Sequence, residues 1–300
     1  MRRPDAPPRA DAADVAALAQ LACLLEVSAP KPGNVSPMGP FHDARYEDFL
    51  ASAVAIGPAL AAAAERPLGV TIRSAIEATH RWTATNTNLG IVLLLAPLAR
   101  AALTRDGGSL RDALRSTLAE TTVADAQEVY AAIRLASPGG LGSVPEQDVA
   151  HPPTVSLLEA MALAQHRDAI AREYVISFET IFGATVPALC RARADGLAWS
   201  DAIVHAYLTL LAAAPDTHIA RKLGAAAAGE VQRRARVALD AGGMHRPAGR
   251  VAAVALDHAL RDPYNRQNPG TTADLTTAAI YVTLLEGGWP RRGEELHAGT

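Results

Sequence analysis

Aromatic residues make up only 4% of this 300-residue sequence, and no segment sustains the period-two alternation of a half-buried strand. Strands are therefore nearly excluded, and the strong helix formers Ala, Leu, Arg and Glu fill the long segments. Cysteine is equally scarce. Cys23 and Cys190 both fall in apolar helical patterns, where a thiol acts as a small buried hydrophobe, which excludes a disulfide framework and suits a reducing cytoplasm. No charge of one sign dominates: 28 basic and 31 acidic residues give a net charge of −3, so there is no basic excess to release counterions from nucleic acid. Long apolar runs are also missing. The longest, Leu89 to Leu98, contains Pro97 and ends at Arg100, far short of the roughly 20 residues of a membrane span.

What is present, 49% hydrophobic and 20% charged residues, is the makeup of a globular protein with a large core. The segment 1–13 has charges and prolines but no apolar h-region, so it is expected as a flexible N-terminal arm rather than a signal peptide. A single all-α catalytic domain is expected over 14–288, followed by a C-terminal tail at 289–300. Apolar periodicity predicts helices over 14–29, 43–64, 70–82, 88–103, 109–119, 123–136, 154–164, 166–183, 185–194, 199–213, 217–241, 248–261 and 271–286. The stretch 88–103 is apolar nearly all round and should be the buried central helix of a compact bundle of about ten to twelve helices. The loop from 137 to 153 is read as a functional loop, because the helices on both sides share one apolar style.

Three polar stretches interrupt this pattern where loops meet helices: Glu26 to Asn34, Asn86-Thr87-Asn88-Leu89-Gly90, and Asn268-Pro269-Gly270-Thr271-Thr272-Ala273-Asp274. Each joins glycine or proline to amides, hydroxyls or charges, the chemistry that seats phosphate and sugar groups on backbone N–H donors. In the first, Pro30, Pro32 and Gly33 simply stop a helix, yet they also hold Lys31 on a stiff turn suited to gripping a phosphate, with Asn34 beside it. In the second, Asn86, Thr87 and Asn88 exceed what one helix cap needs, leaving a side chain to reach a sugar hydroxyl.

Other charges gather on predicted helices. Arg167, Asp168, Arg172 and Glu173 would form surface pairs on a solvated helix, but the aromatic stretch after them implies partial burial. Asp216 is an N-cap, while Arg221 and Lys222 one turn later form a candidate triphosphate pair. His218 lacks a His/Cys ligand set, so zinc is not indicated. The carboxylates Asp43, Asp216, Glu173 and Asp274 suit magnesium, which arrives on nucleotide phosphates. The His166-Arg167-Asp168 triplet lacks any other kinase motif, and Ser137 to Gly142 lacks both the spacing and the strand of a dinucleotide loop.

Taken in order, Glu26 with Pro30-Lys31-Pro32-Gly33, His42-Asp43, Asn86-Thr87 with Gly90, Ala171-Arg172-Glu173 with Phe178, Asp216-Thr217 with Arg221, and Pro269-Gly270 with Ala273-Asp274-Leu275 resemble the triphosphoribosyl-dephospho-CoA synthases. The resemblance runs from about Ala16 to Leu285 and looks like a divergent branch. The family pattern has Leu-Val-Asp where this chain has Asn34-Val35-Ser36, His-Lys where it has Asn88-Leu89, and Gly-Ala-Arg-Gly-Glu where it has Ile170-Ala171-Arg172-Glu173.

The resemblance implies a pentosyltransferase that uses ATP and 3′-dephospho-CoA and releases adenine, with magnesium as companion ion. It implies Glu173 as general base with Asp274 as competitor, Lys31, Arg172, Arg221 and Lys222 on the triphosphate, and Asn86, Asn88 and the amides near Gly270 on ribose and phosphate. Asp43 and Asp216 would bind magnesium. Two other readings stay open: a different acceptor alcohol, such as a pterin-type coenzyme intermediate, and a silent nucleotide-binding protein. Neither a nucleic acid nor a membrane is expected as partner, and close-packing alanine-rich helices leave a homodimer open.

Overall fold

The computed structural model describes residues 11–39, 41, 44–140, 142–262 and 264–289. The chain is all-α, and the only extended pairing among the described residues is one isolated bridge between Ser36 and Gly39. In order, the helices are α1 (Ala12–Ser28), α2 (Tyr46–Ala55), α3 (Gly57–Ala61), α4 (Leu68–His80), α5 (Leu89–Thr104), α6 (Leu110–Ala119), α7 (Val123–Ala136), α8 (Leu157–Ala164) and α9 (Ala169–Val175). A π-helical turn, Ile181–Thr185, leads into α10 (Val186–Ala194) and α11 (Trp199–Ala213). Then come α12 (Thr217–Leu223), α13 (Ala225–Asp240), a 3-10 turn at Gly243–His245, α14 (Pro247–Leu260) and α15 (Gly270–Leu285). None is long and apolar enough to cross a membrane.

The segments outnumber the expected ten to twelve because three long apolar patterns break. The pattern over 43–64 yields α2 and α3, interrupted at Ile56 ahead of Gly57 and Pro58. That over 166–183 stops at Val175, where Ser177 and Phe178 take positive φ. That over 217–241 divides at Gly224, whose φ of 88° no helix contains.

α5 lies in the interior as its apolar sequence predicts, but α15 is buried even more completely and packs on α1, α5, α10 and α11. Its threonines hide this from the sequence. Thr276, Thr277 and Thr283 each donate the hydroxyl to the carbonyl four residues back, so polar side chains enter the core already satisfied.

The few aromatics serve as pins. Tyr174, Tyr207 and Tyr281 are fully buried, and their hydroxyls donate to the carbonyls of Leu93 (2.6 Å), Pro32 (2.8 Å) and Val15 (3.1 Å). The first has a clear cause. Pro97 inside α5 has no N–H for the Leu93 carbonyl, and Tyr174 of α9 supplies the missing donor. A defect in the central helix thereby fixes α9 and the residues at its start. Cys23 is buried as expected, but Cys190 is exposed, because α10 turns it away from the core.

Candidate active site

A cavity of about 1230 Å³ opens among α5, α7, α8, α9, α12 and the start of α15, with the 137–150 loop along one side. Asp168 begins one wall. Its carboxylate caps α9 through the amides of Ile170 (2.9 Å) and Ala171 (3.0 Å) and meets Arg221 of α12 at 3.3 Å. Thr217 joins the same elements to α15: its hydroxyl accepts from the Ala169 amide (3.3 Å) and lies 3.1 Å from that of Thr271. The Arg221 side chain packs against Gly140 of the loop, and Lys222 lies beside Gly139. The loop is tied to α7 in turn, since Tyr130 donates to the Gln147 carbonyl (2.6 Å) and Arg134 to that of Val149 (2.7 Å).

Asp274 stands in the cavity wall on the first turns of α15, against Gly90 of α5. A Cβ at Gly90 would fall 2.0 Å from the Asp274 carboxylate, so only glycine leaves room for it. Burial pushes this carboxyl well above the usual carboxylate range, and the negative charges of Glu26, Asp216 and Asp168 add to the effect against the opposing pull of Arg221. Nearby, His218 rests on Gly270, where a Cβ would meet its Nδ1 at 3.0 Å. Burial first, then Lys222 and Arg221, lower the imidazole to about 3, so it is neutral.

The residues anticipated from the sequence divide into two groups. Asn86, Arg172, Arg221, Lys222, Asn268 and Asp274 line the cavity together. Asn86 also accepts from the Leu89 amide at the start of α5 (3.1 Å). The others that the structure describes do not line it. The Lys31 ammonium is turned inward, 3.1 Å from the Glu26 carboxylate and hydrogen-bonded to the Glu26 and Ala29 carbonyls, so the stiff turn holds it for the protein's own carboxylate. Burial drives both partners toward their neutral forms, and each opposes the other's shift.

Gly33 donates its amide to Asp257 (2.8 Å), and the Asn34 side chain accepts from the Val35 amide (3.0 Å). Thr87 bonds Ser52, and Asn88 donates to Thr79 (2.9 Å), so this pair fastens the α4–α5 connection. Gly270 makes room for His218 without facing the cavity.

Two assignments change more. Glu173 is buried away from the cavity, accepting from the Ile181 amide (3.2 Å), where it caps the π-helical turn. Asp216 is buried with both oxygens occupied by the amides of His218 (2.9 Å) and Ile219 (3.0 Å) and by the amide and hydroxyl of Thr272 (2.7 Å each). Four donors leave it no lone pair well placed for a metal. Asp43 lies outside the described residues, among which no three His, Cys, Asp or Glu side chains are grouped to hold a metal ion.

The inner face of α7 and the stretch Val144–Ala150 also line the cavity, with no motif in the sequence to mark them as such. At the α12 corner, three enclosed polar atoms, His218 Nε2, Arg221 Nε and Asn268 Oδ1, have no hydrogen-bond partner among the described residues.

The family model for CitG, ATP:dephospho-CoA triphosphoribosyl transferase, matches residues 12–293. Proteins named as probable 2-(5''-triphosphoribosyl)-3'-dephosphocoenzyme-A synthases from Pseudomonas syringae pv. tomato and Pseudomonas savastanoi pv. phaseolicola are each 28% identical over 137 residues, 43% of this chain and 46% of theirs. The matched region thus spans about half the length of these curated relatives. A crystal structure assigned as a triphosphoribosyl-dephospho-CoA synthase from Archaeoglobus fulgidus superposes with a TM-score of 0.61 at 28% identity, covering 79% of this chain and 99% of that one. With the family model extending over nearly the whole sequence, the chain belongs to the ATP:dephospho-CoA triphosphoribosyl transferase family.

Proposed function

We propose that this protein transfers the triphosphoribosyl unit of ATP to a hydroxyl of 3′-dephospho-CoA and releases adenine. The observation that carries the reading is the α12 corner: three enclosed polar atoms without partners, beside a carboxyl that burial pushes well above the usual carboxylate range. Unpartnered polar groups in a cavity wall are suited to completion by a ligand. Arg221, Lys222 and Arg172 offer cationic contacts to the triphosphate, with Asn268 and Asn86 within the same cavity for ribose hydroxyls.

The reaction breaks the bond from C1′ to the purine nitrogen, whose electron pair leaves with adenine, and forms a bond from C1′ to the acceptor oxygen. Adenine must gain a proton and the hydroxyl must lose one. Asp274 gives its proton to the departing purine, the resulting carboxylate faces the cationic ribose, and it then takes the hydroxyl proton as the new bond closes. Glu173, held at the Ile181 amide, keeps α9 in place instead.

Among the described residues the donors do not fit a resident magnesium, since Asp216 is saturated, and a magnesium ion would come in on the ATP phosphates. Incubation with ATP, magnesium and 3′-dephospho-CoA, followed by mass analysis, tests the reading. Acceptor-dependent adenine with a triphosphoribosyl adduct is expected; ATP binding without adenine from any hydroxyl acceptor would overturn it.

A further inference from the structure

The cavity has two chemically different walls. Its α12 side carries Arg221 and Lys222, whereas α8 contributes only apolar side chains, Met161 and Leu163 among them, joined by Ile133 of α7, Leu93 of α5 and Phe49 of α2. Asp274 and Gly90 meet where these walls join: Gly90 faces Ile170 of α9 as well as Asp274, and Leu93 lies one turn farther along α5. Of the cations near the apolar end, Arg134 of α7 is engaged with the Val149 carbonyl, and Arg167 follows α8 at the cavity wall. A cavity of about 1230 Å³ also exceeds the roughly 300–1,000 Å³ of an ordinary single-ligand pocket.

Resting on the reading above, we propose that the apolar trough formed by Phe49, Leu93, Ile133, Met161 and Leu163 is an acceptor subsite that seats the non-nucleotide arm of the acceptor. The nucleoside diphosphate part then lies toward Asp274 and the arm runs between α7 and α8. These residues select for acceptors that carry an extended chain beyond the diphosphate. A bare nucleotide leaves the trough filled with water and forfeits the contacts made there, which lowers transition-state binding without touching the chemical groups.

The test compares two acceptors at saturating ATP: 3′-dephospho-CoA, and ADP, which presents the same nucleoside diphosphate without the arm. The wild-type protein should use 3′-dephospho-CoA with a kcat/KM at least about tenfold above that for ADP, the scale on which an apolar pocket discriminates. Ile133→Asp and Met161→Asp should erase most of that preference while leaving adenine release with ADP and the KM for ATP unchanged. Equal use of both acceptors by the wild type, a comparison that needs no variant to fold, would overturn the subsite. Equal losses with both acceptors in folded variants would overturn it too. Absence of adenine with either acceptor would instead defeat the underlying reading, so the two failures are distinct.

Discussion

At the residue scale, the most instructive side chain is Lys31. The Pro-Lys-Pro-Gly turn looks in sequence like a phosphate clamp, because prolines stiffen it and a cation sits at its tip. In the fold the same rigidity delivers the ammonium to Glu26 and to two carbonyls of its own turn, away from the cavity. Sequence shows that a lysine is held but not in which direction, since direction depends on where α1 packs. Breaking such a buried pair leaves Glu26 unpaired, so Lys31→Met should cost about 3–5 kcal/mol of stability. Urea unfolding would show that loss, while the KM for ATP of the remaining folded enzyme should hold; a raised KM with intact stability would return Lys31 to the phosphate site.

At the element scale, α5, α9 and α15 decide where the chemistry sits. α5 was legible as a buried helix because its sequence is apolar on every face, and of the asparagines before it Asn86 lines the cavity. α15 was harder to see as core, because four-residue back-bonding of its threonines leaves no trace in hydropathy. The helix break after Val175 was invisible for a related reason. Ser177 and Phe178 adopt positive φ without glycine, under the hold of the Glu173 carboxylate on the next turn.

The contact between Tyr174 and the Leu93 carbonyl links two of these elements and makes a sharp prediction. Tyr174→Phe removes the one hydroxyl that replaces the donor missing at Pro97, leaving a buried carbonyl unsatisfied at a cost of about 1–3 kcal/mol. Thermal unfolding should register it. The double variant Tyr174→Phe with Pro97→Ala should recover most of the loss, because the restored amide bonds the same carbonyl; no recovery would show that the hydroxyl matters for something else.

At the scale of the whole molecule, the site exists because distant segments converge: α5 brings Gly90, α9 brings Asp168, α12 brings His218 and Arg221, and α15 brings Asp274. The polar stretches in the sequence therefore did not reveal which of their members face the cavity. The convergence has a thermodynamic signature. Asp274 is raised in the folded state, so the protonated form favours the fold: its contribution is full below the unfolded value near 4 and is lost as pH rises through the folded value. Asparagine mimics the protonated carboxyl. The Tm of wild type should consequently fall below that of Asp274→Asn as pH rises from about 4 to 8, given the unfolded reference value; parallel curves would contradict the shift.

The same substitution gives the most direct test of the account, which holds that Asp274 carries the proton passed between acceptor and adenine. Acceptor-dependent adenine release by Asp274→Asn, measured with bound ATP confirmed by calorimetry, should drop by about 10²–10⁴-fold, the range for losing a general acid–base group. Unchanged turnover in a folded, ATP-binding variant would contradict it.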